Sequence, residues 1–209
     1  MTATDQTGIL VTGRGQVTAT PDTSRVDVGV SVLGESASDA TDAAAAAASA
    51  VIDSLVAEGV ERSDISTSGY TLGIEYEYAG NERRIAGYRV NNNLVVLIRG
   101  IDDVGAMVDV MVAAGGDAVV ISGLTFTIED DTAHLVEARR LAWSDALDKA
   151  EHIAELASLT LGKPISITES TSPPPPSPMT RLMSVESGTP IEPGTATMTT
   201  TMQVRFVID

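Results

Sequence analysis

The histidines are the first residues to test for chemistry, because the chain holds only two, His134 and His152, and no cysteine. Without thiols, any nucleophilic or metal chemistry has to be built from imidazole, carboxylate and hydroxyl groups. His134 stands three residues before Glu137, and His152 three before Glu155. That spacing aligns an imidazole and a carboxylate on one helix face, as in metal-binding bundles. Both pairs fall on one predicted helix, and their 18-residue separation corresponds to about 27 Å at a rise of about 1.5 Å per residue. One metal therefore cannot take both, and neither pair brings the further ligands that such a site needs. The pairs read as solvated helix contacts.

The remaining polar motifs have structural explanations. Asp102-Asp103 and Glu129-Asp130-Asp131 each directly precede a predicted helix, where negative charge complements the dipole and side-chain oxygens cap free amides. Neither has the alternating oxygen ligands and mid-loop glycine of a calcium loop. Gly13-Arg14-Gly15 lacks the third glycine and the following helix of a dinucleotide fingerprint, and no G-K-[ST] phosphate loop occurs. The run from Gly34 to Ser38 lacks the second glycine of a nucleophile elbow. No catalytic residue, cofactor site or metal site is assigned, and the chain reads as a non-enzyme.

The elements that would position any site are more legible. From Ile9 to Leu33 two alternating strands meet at Pro21-Asp22, with Val26, Val28, Val30 and Val32 on one face and Arg25, Asp27, Gly29 and Ser31 on the other. Gly13 and Gly15 interrupt the first strand where a bulge or a close backbone approach needs them. Ser36 or Ser38 caps a helix that carries the alanine run Ala43 to Ala48 and stops at Gly59, with Ala40, Ala44, Ala47, Val51 and Leu55 on its inner face. Ile65 to Tyr78 and Arg84 to Arg99 form a hairpin around Gly80-Asn81. Asp102 or Asp103 opens a short helix with Val104, Met107, Val108 and Met111 inward, closed by Gly115-Gly116. Val119 to Ile128 is the next strand.

That order is strand, helix, strand, strand, helix, strand, the split βαββαβ arrangement of ferredoxin-like plaits. Asp130, Asp131 or Thr132 caps a long helix that runs to about Leu159, with Leu135, Ala138, Ala142, Ala146, Ala150, Ile153 and Ala157 as its inner stripe and Gly162 and Pro164 as terminators. Strands near Lys163 to Glu169 and Thr195 to Ile208 then need a partner, and the strand from Ile9 to Thr20 supplies one. The expected fold is therefore α+β in two layers. A plait (22–128) is inserted in a discontinuous α/β subdomain (8–21 plus 129–209), and 1–209 forms one domain. A Pro-rich loop, 170–194, separates the last strands and is long enough to be functional.

Composition limits partners and compartment. Acidic residues number 29 against 13 basic, a formal charge of −16, which repels nucleic acid and anionic lipid. Aromatics make up 3%, so the core must be aliphatic and closely packed. The opening MTATDQTG has neither the basic start nor the apolar run of a signal peptide. No apolar run reaches the roughly 18 residues of a membrane span.

Several stations then resemble the SIMPL domain family, a bacterial group of unknown function that includes periplasmic immunogenic proteins. They are VTGRG at Val11 to Gly15, Pro21-Asp22, Thr67 with Tyr70, Gly87-Tyr88, Phe126, and the alanine-spaced helix ending near Leu161-Gly162. The resemblance implies an α+β fold, self-association, export to the cell envelope with a part in envelope maintenance or stress tolerance, and no catalytic residues. The interaction surface expected from the residues comprises Leu141 and Leu147 on the long helix with Met179, Leu182 and Met183 in the Pro-rich loop. A homo-oligomer is the expected assembly, and the loop a possible contact for a protein partner. Two other readings stand beside this one. One is a small-ligand carrier using a crevice between the subdomains near Tyr70, Tyr76, Tyr88 and Asn91 to Asn93. The other is an enzyme with an acidic site, which has only unpaired carboxylates behind it. A cytoplasmic location stands beside the envelope one, since the chain as given shows no leader.

Overall fold

The computed structural model describes residues 8–80, 82–172 and 191–208. Seven strands and three α-helices follow in the order β1 (Ile9–Ala19), β2 (Thr23–Gly34), α1 (Ala37–Ala57), β3 (Ile65–Ala79), β4 (Glu82–Arg99), α2 (Val104–Gly115), β5 (Val119–Thr127), α3 (Thr132–Ala157), β6 (Leu161–Ser172) and β7 (Ala196–Ile208). They divide into two compact units. An end unit gathers β1, α3, β6 and β7, and a middle unit gathers β2 to β5 with α1 and α2. The fold is mixed α and β on two antiparallel sheets.

In the middle unit the strand order is β3-β4-β2-β5. The alternation of β2 does what period-2 patterning requires: Val26, Val28 and Val30 are buried against Ala40, Ala44, Ala48, Val51 and Leu55 of α1 and Val104, Met107, Val108 and Met111 of α2. Small alanines at four-residue steps let α1 lie close to the sheet. Ser36 caps α1, its hydroxyl accepting from the Asp39 amide at 3.1 Å. Gly59, at φ +96, turns the chain out while the Val60 amide donates to the Leu55 carbonyl at 3.0 Å. α2 begins differently from the sequence expectation. A single 3-10 turn, Ile101–Asp103, leads into it, and Asp103 makes no side-chain cap bond. By length and composition α1 is long and apolar enough to cross a membrane. The sequence reading missed this by counting uninterrupted apolar runs, yet the apolar stripe of α1 lies in the unit's core.

In the end unit the order is β1-β7-β6, with α3 on one face. β1 and β7 pair without a break from Ile9↔Phe206 to Ala19↔Ala196, so the Gly13 and Gly15 pair marks no bulge. It marks close approach instead. A Cβ built on Gly13 would lie 2.0 Å from the Ala142 carbonyl oxygen, and one on Gly15 1.9 Å from that of Ala138. The backbone of α3 rests on the backbone of β1 at these points, with Ala142, Ala146, Ala150 and Ala154 completing the contact. The buried stripe keeps strict four-residue steps through Ala154, leaving Ile153 exposed. Such a row is inclined to the helix axis, which lets it follow a twisted strand.

α3 also ends before the predicted terminators. Ser158 takes a left-handed φ of 56°, and the Leu159 amide donates to the Ala154 carbonyl at 2.9 Å. Gly162 and Pro164 lie inside β6 instead, where register irregularities flank Pro164. An edge strand accommodates a proline at such a place, because no ladder amide is lost.

The β1 edge is covered by charged side chains of α3. The Arg14 amide donates to Asp145 Oδ2 at 2.7 Å, and Lys149 Nζ donates to the Thr12 carbonyl at 3.0 Å and to Asp145 Oδ2 at 2.6 Å. The Lys149 hydrogen bond, then the Arg14 amide, hold the Asp145 carboxyl below the usual aspartate range. Its contribution to stability is therefore complete above about pH 4, the unfolded value, and lost as pH falls through the lowered one. Asp145→Asn is expected to lower the urea midpoint at pH 7 and leave it unchanged near pH 2, by about 1 kcal/mol or less for so exposed a pair. An equal loss at both pH values would contradict this.

Candidate functional site

The chemical residues singled out by sequence stay apart. His134 and His152 lie on α3. The Glu137 carboxylate is taken by Arg140, at 2.7 and 2.8 Å, which lowers its pKa. Asp131 occupies the N-cap position of α3 but makes no side-chain cap bond; Asp130 Oδ1 accepts from the Thr132 amide at 3.0 Å instead. Hydrogen bonding by Thr132 holds the Asp130 pKa low. Among the described residues no group of three or more His, Asp or Glu side chains is placed to hold a metal ion.

A small cavity of about 170 Å³ in the middle unit is lined by Val60, Ile98 and Met107 with Glu58, Asp64 and Arg99. Its Arg99 and Asp64 side chains are paired with each other. Of the residues considered for a carrier site, Tyr88 packs against the middle unit's core, Tyr70 is exposed, and the Asn91 side-chain Nδ2 donates to Thr71 Oγ1 at 3.2 Å.

The expected interaction residues are only partly accounted for. Leu141 is half-buried. Leu147 packs with Trp143 on the end unit's core. Met179, Leu182 and Met183 lie outside the described residues.

Two surfaces that sequence reasoning did not single out carry exposed apolar side chains. In the end unit, Leu156 is 74% exposed, Ile165 57% and Ile167 55%, with Ile153 and Leu159 also exposed. They cluster in sequence around the junction of α3 and β6. A signal for this was available: Leu156 and Leu159 continue past the alanine stripe but off its phase.

The second surface is the β3–β4 hairpin. β2 pairs with β4 only as far as Gly34↔Tyr88, while β3 and β4 pair onward from Glu75↔Gly87 to Ala79↔Glu82. The far end of the hairpin is therefore a two-stranded arm, an element that is marginal without cover. Tyr70, Leu72, Ile74, Tyr76 and Tyr78 lie on one face of β3, all exposed, Tyr78 at 74%. The Arg83 guanidinium lies 3.4 Å over the Tyr76 ring, a cation–π contact that covers one face of that ring. On the opposite face Arg89 bridges Glu75 at 3.1 Å and the Ser31 hydroxyl at 3.3 Å, tying β3 to β2 through β4. The alternation was plain in the sequence; that the tyrosine face would be left uncovered was not.

Two antiparallel sheets, one packed by α1 and α2 and the other by α3, define a mixed α+β protein, and its patterning matches a known group. The chain belongs to the SIMPL family, described as "Protein of unknown function (DUF541)", which it matches over residues 9–206. It is 31% identical over 182 residues to the "26 kDa periplasmic immunogenic protein" of Brucella melitensis biotype 1, covering 83% of this chain and 70% of that protein. The protein of the same name from Brucella abortus (strain S19) gives the same identity and coverage. "Uncharacterized protein YggE" of Escherichia coli (strain K12) is 25% identical over 179 residues, 86% of this chain and 72% of that protein.

Proposed function

We propose that the protein is a noncatalytic, self-associating structural or interaction module of the cell envelope. The observation that carries this reading is the set of exposed large apolar side chains near the α3–β6 junction, led by Leu156, since uncovered apolar surface of this kind supports a contact site. The "periplasmic" name of the Brucella relatives supports an envelope location. The strand order β3-β4-β2-β5, with α1 and α2 on one face, supports reading the middle unit as a ferredoxin-like plait. On that reading one SIMPL-type domain carries the plait as an insertion. Leu141 and the segment bearing Met179, Leu182 and Met183 are proposed as additions to the contact.

Self-association of a chain with a formal charge of −16 has to overcome mutual repulsion, which salt screens over a Debye length of about 8 Å at physiological ionic strength. Sedimentation velocity is therefore expected to show an oligomer that strengthens with added salt. Leu156→Glu, at an exposed helix position, is expected to weaken the assembly about tenfold or more while leaving the melting temperature unchanged. A chain that stays monomeric at all concentrations, or a variant that assembles equally well, would refute this reading.

A further inference from the structure

Each sheet ends in two edge strands, and the four differ in how their outer backbone groups are treated. On β1, Asp145 and Lys149 of α3 bond the Arg14 amide and the Thr12 carbonyl. β6 carries Pro164 between two register irregularities, and β5 has nine residues with an irregularity opposite Asp27 and Val28. Prolines, bulges, short length and charged cover are the devices by which edges avoid further pairing. β3 differs: it has 15 residues, with no proline, lysine or arginine. Its one extra residue, Ser68, lies near its start; the second register irregularity, between Glu75 and Tyr76, comes from Ala86 on β4, so from Gly69 onward β3 itself carries no extra residue. Among the described residues no hydrogen bond reaches its outer edge.

We infer that the outer edge of β3, from Gly69 to Ala79, is a strand-addition site for an extended, basic polypeptide segment. The inference rests on the reading of the protein as an interaction module and deepens it by naming a class of partner. Side chains of an added strand alternate between the two faces of the sheet. On one face they meet Tyr70, Leu72, Ile74, Tyr76 and Tyr78, which select apolar residues. On the other they stand beside Glu75 and Glu77, the only charged residues of β3; Arg89 already bridges Glu75, so Glu77 carries the attraction. The arginines of the hairpin, Arg83, Arg84 and Arg89, all lie one strand inward on β4.

Opposite charges side by side on neighbouring strands stabilise pairing, and like charges oppose it. Lysine or arginine on the face of Glu77 is therefore the matching chemistry. A second copy of the chain is a poorer match, because β3 against β3 sets an acidic strand beside an acidic strand and brings another formal charge of −16. The same long-range field that repels a second copy draws in a basic segment.

The test uses the full chain and a short, acetylated, fluorescein-labelled peptide that alternates lysine and valine. Its controls have glutamate for lysine, or proline for the central valine. Anisotropy titrations at low salt are expected to show the basic peptide binding at least about tenfold more tightly than either control. Hydrogen exchange is expected to slow within residues 69–79. Glu77→Lys and Ile74→Lys should each weaken binding about tenfold, and circular dichroism melting checks that both variants fold.

Equal binding of the lysine and glutamate peptides, unchanged binding by Glu77→Lys, or protection only outside β3 would overturn the proposal. So would concentration-dependent protection of residues 69–79 without peptide, since a second copy would then hold the edge. Leu156→Glu, carried through the same titrations, separates the two readings. If it abolishes self-association and leaves peptide binding intact, both stand; if it remains oligomeric and still binds the peptide, the strand-addition site stands alone.

Discussion

Gly15→Val is expected to remove at least about 3 kcal/mol of stability from the end unit, at the upper end of what overpacking costs. The reason is the nature of the obstacle. A Cβ at Gly15 would lie 1.9 Å from the Ala138 carbonyl oxygen and 2.6 Å from the Ala142 amide nitrogen, both backbone atoms of α3. A flexible side chain could swing away, but a helix backbone has to lift as a body. Lifting α3 separates Ala142, Ala146, Ala150 and Ala154 from Val11, Met202, Val204 and Phe206, so the loss extends over the whole contact.

Gly13 meets the helix in the same way, 2.0 Å from the Ala142 carbonyl oxygen, and valine there should behave alike. Gly73→Ala provides the control. Its Cβ would meet nothing within 4 Å, and a strand alanine in open space is neutral or slightly stabilising. Urea unfolding followed by the single tryptophan, Trp143, which packs on the end unit's core, reads the result. A Gly15→Val midpoint as high as that of Gly73→Ala would show that α3 does not rest on β1 here.

These two glycines also show how far the sequence could be read. Local patterning was sufficient for elements: the valines of β2, the apolar positions of α2 and most alanines of α1 and α3 fall where their periods place them, although Ala48 is buried where Ala47 was expected and Ala154 where Ala157 was. The glycines posed a choice between bulge and close approach that local sequence does not decide. The deciding group is the backbone of α3, more than a hundred residues away in the chain. Helix ends were read less well where geometry overrode residue preference, as at Ser158, which takes the left-handed position favoured by glycine.

The candidate surface was the least legible part. Alternation in β3 announces a strand with an apolar face, but whether that face is covered depends on how far β2 runs beside β4, and that register ends at Gly34. Leu147 illustrates the converse. It lies beside charged residues in sequence and reads as exposed, yet it packs on the end unit's core beside Trp143.

Phe206→Ala is the second large effect, expected to cost about 3–5 kcal/mol as a large-to-small change in a closed core. Phe206 is 1% exposed on the central strand β7, opposite Ile9 on one side and Pro164 on the other. The ring lies 6.2 Å from that of Trp143, tilted by 47°, within the range where aromatic pairs attract beyond their buried area. The surroundings make collapse difficult. The helix side of this core is largely alanine, whose side chain has no rotamer with which to fill a void, and Ala142 and Ala146 are held by their contact with Gly13 and Gly15.

The cavity should therefore persist, and the cost should lie nearer the top of the range than where leucine or methionine neighbours can move in. Phe206→Leu keeps much of the volume and should cost less than half as much. Trp143 emission is expected to shift to the red in Phe206→Ala as its aromatic neighbour is lost and water gains access, with the urea midpoint falling in the order wild type, Leu, Ala. Equal midpoints for Leu and Ala would mean that α3 settles onto β7 after all, and the rigidity argued from the two glycines would then be wrong.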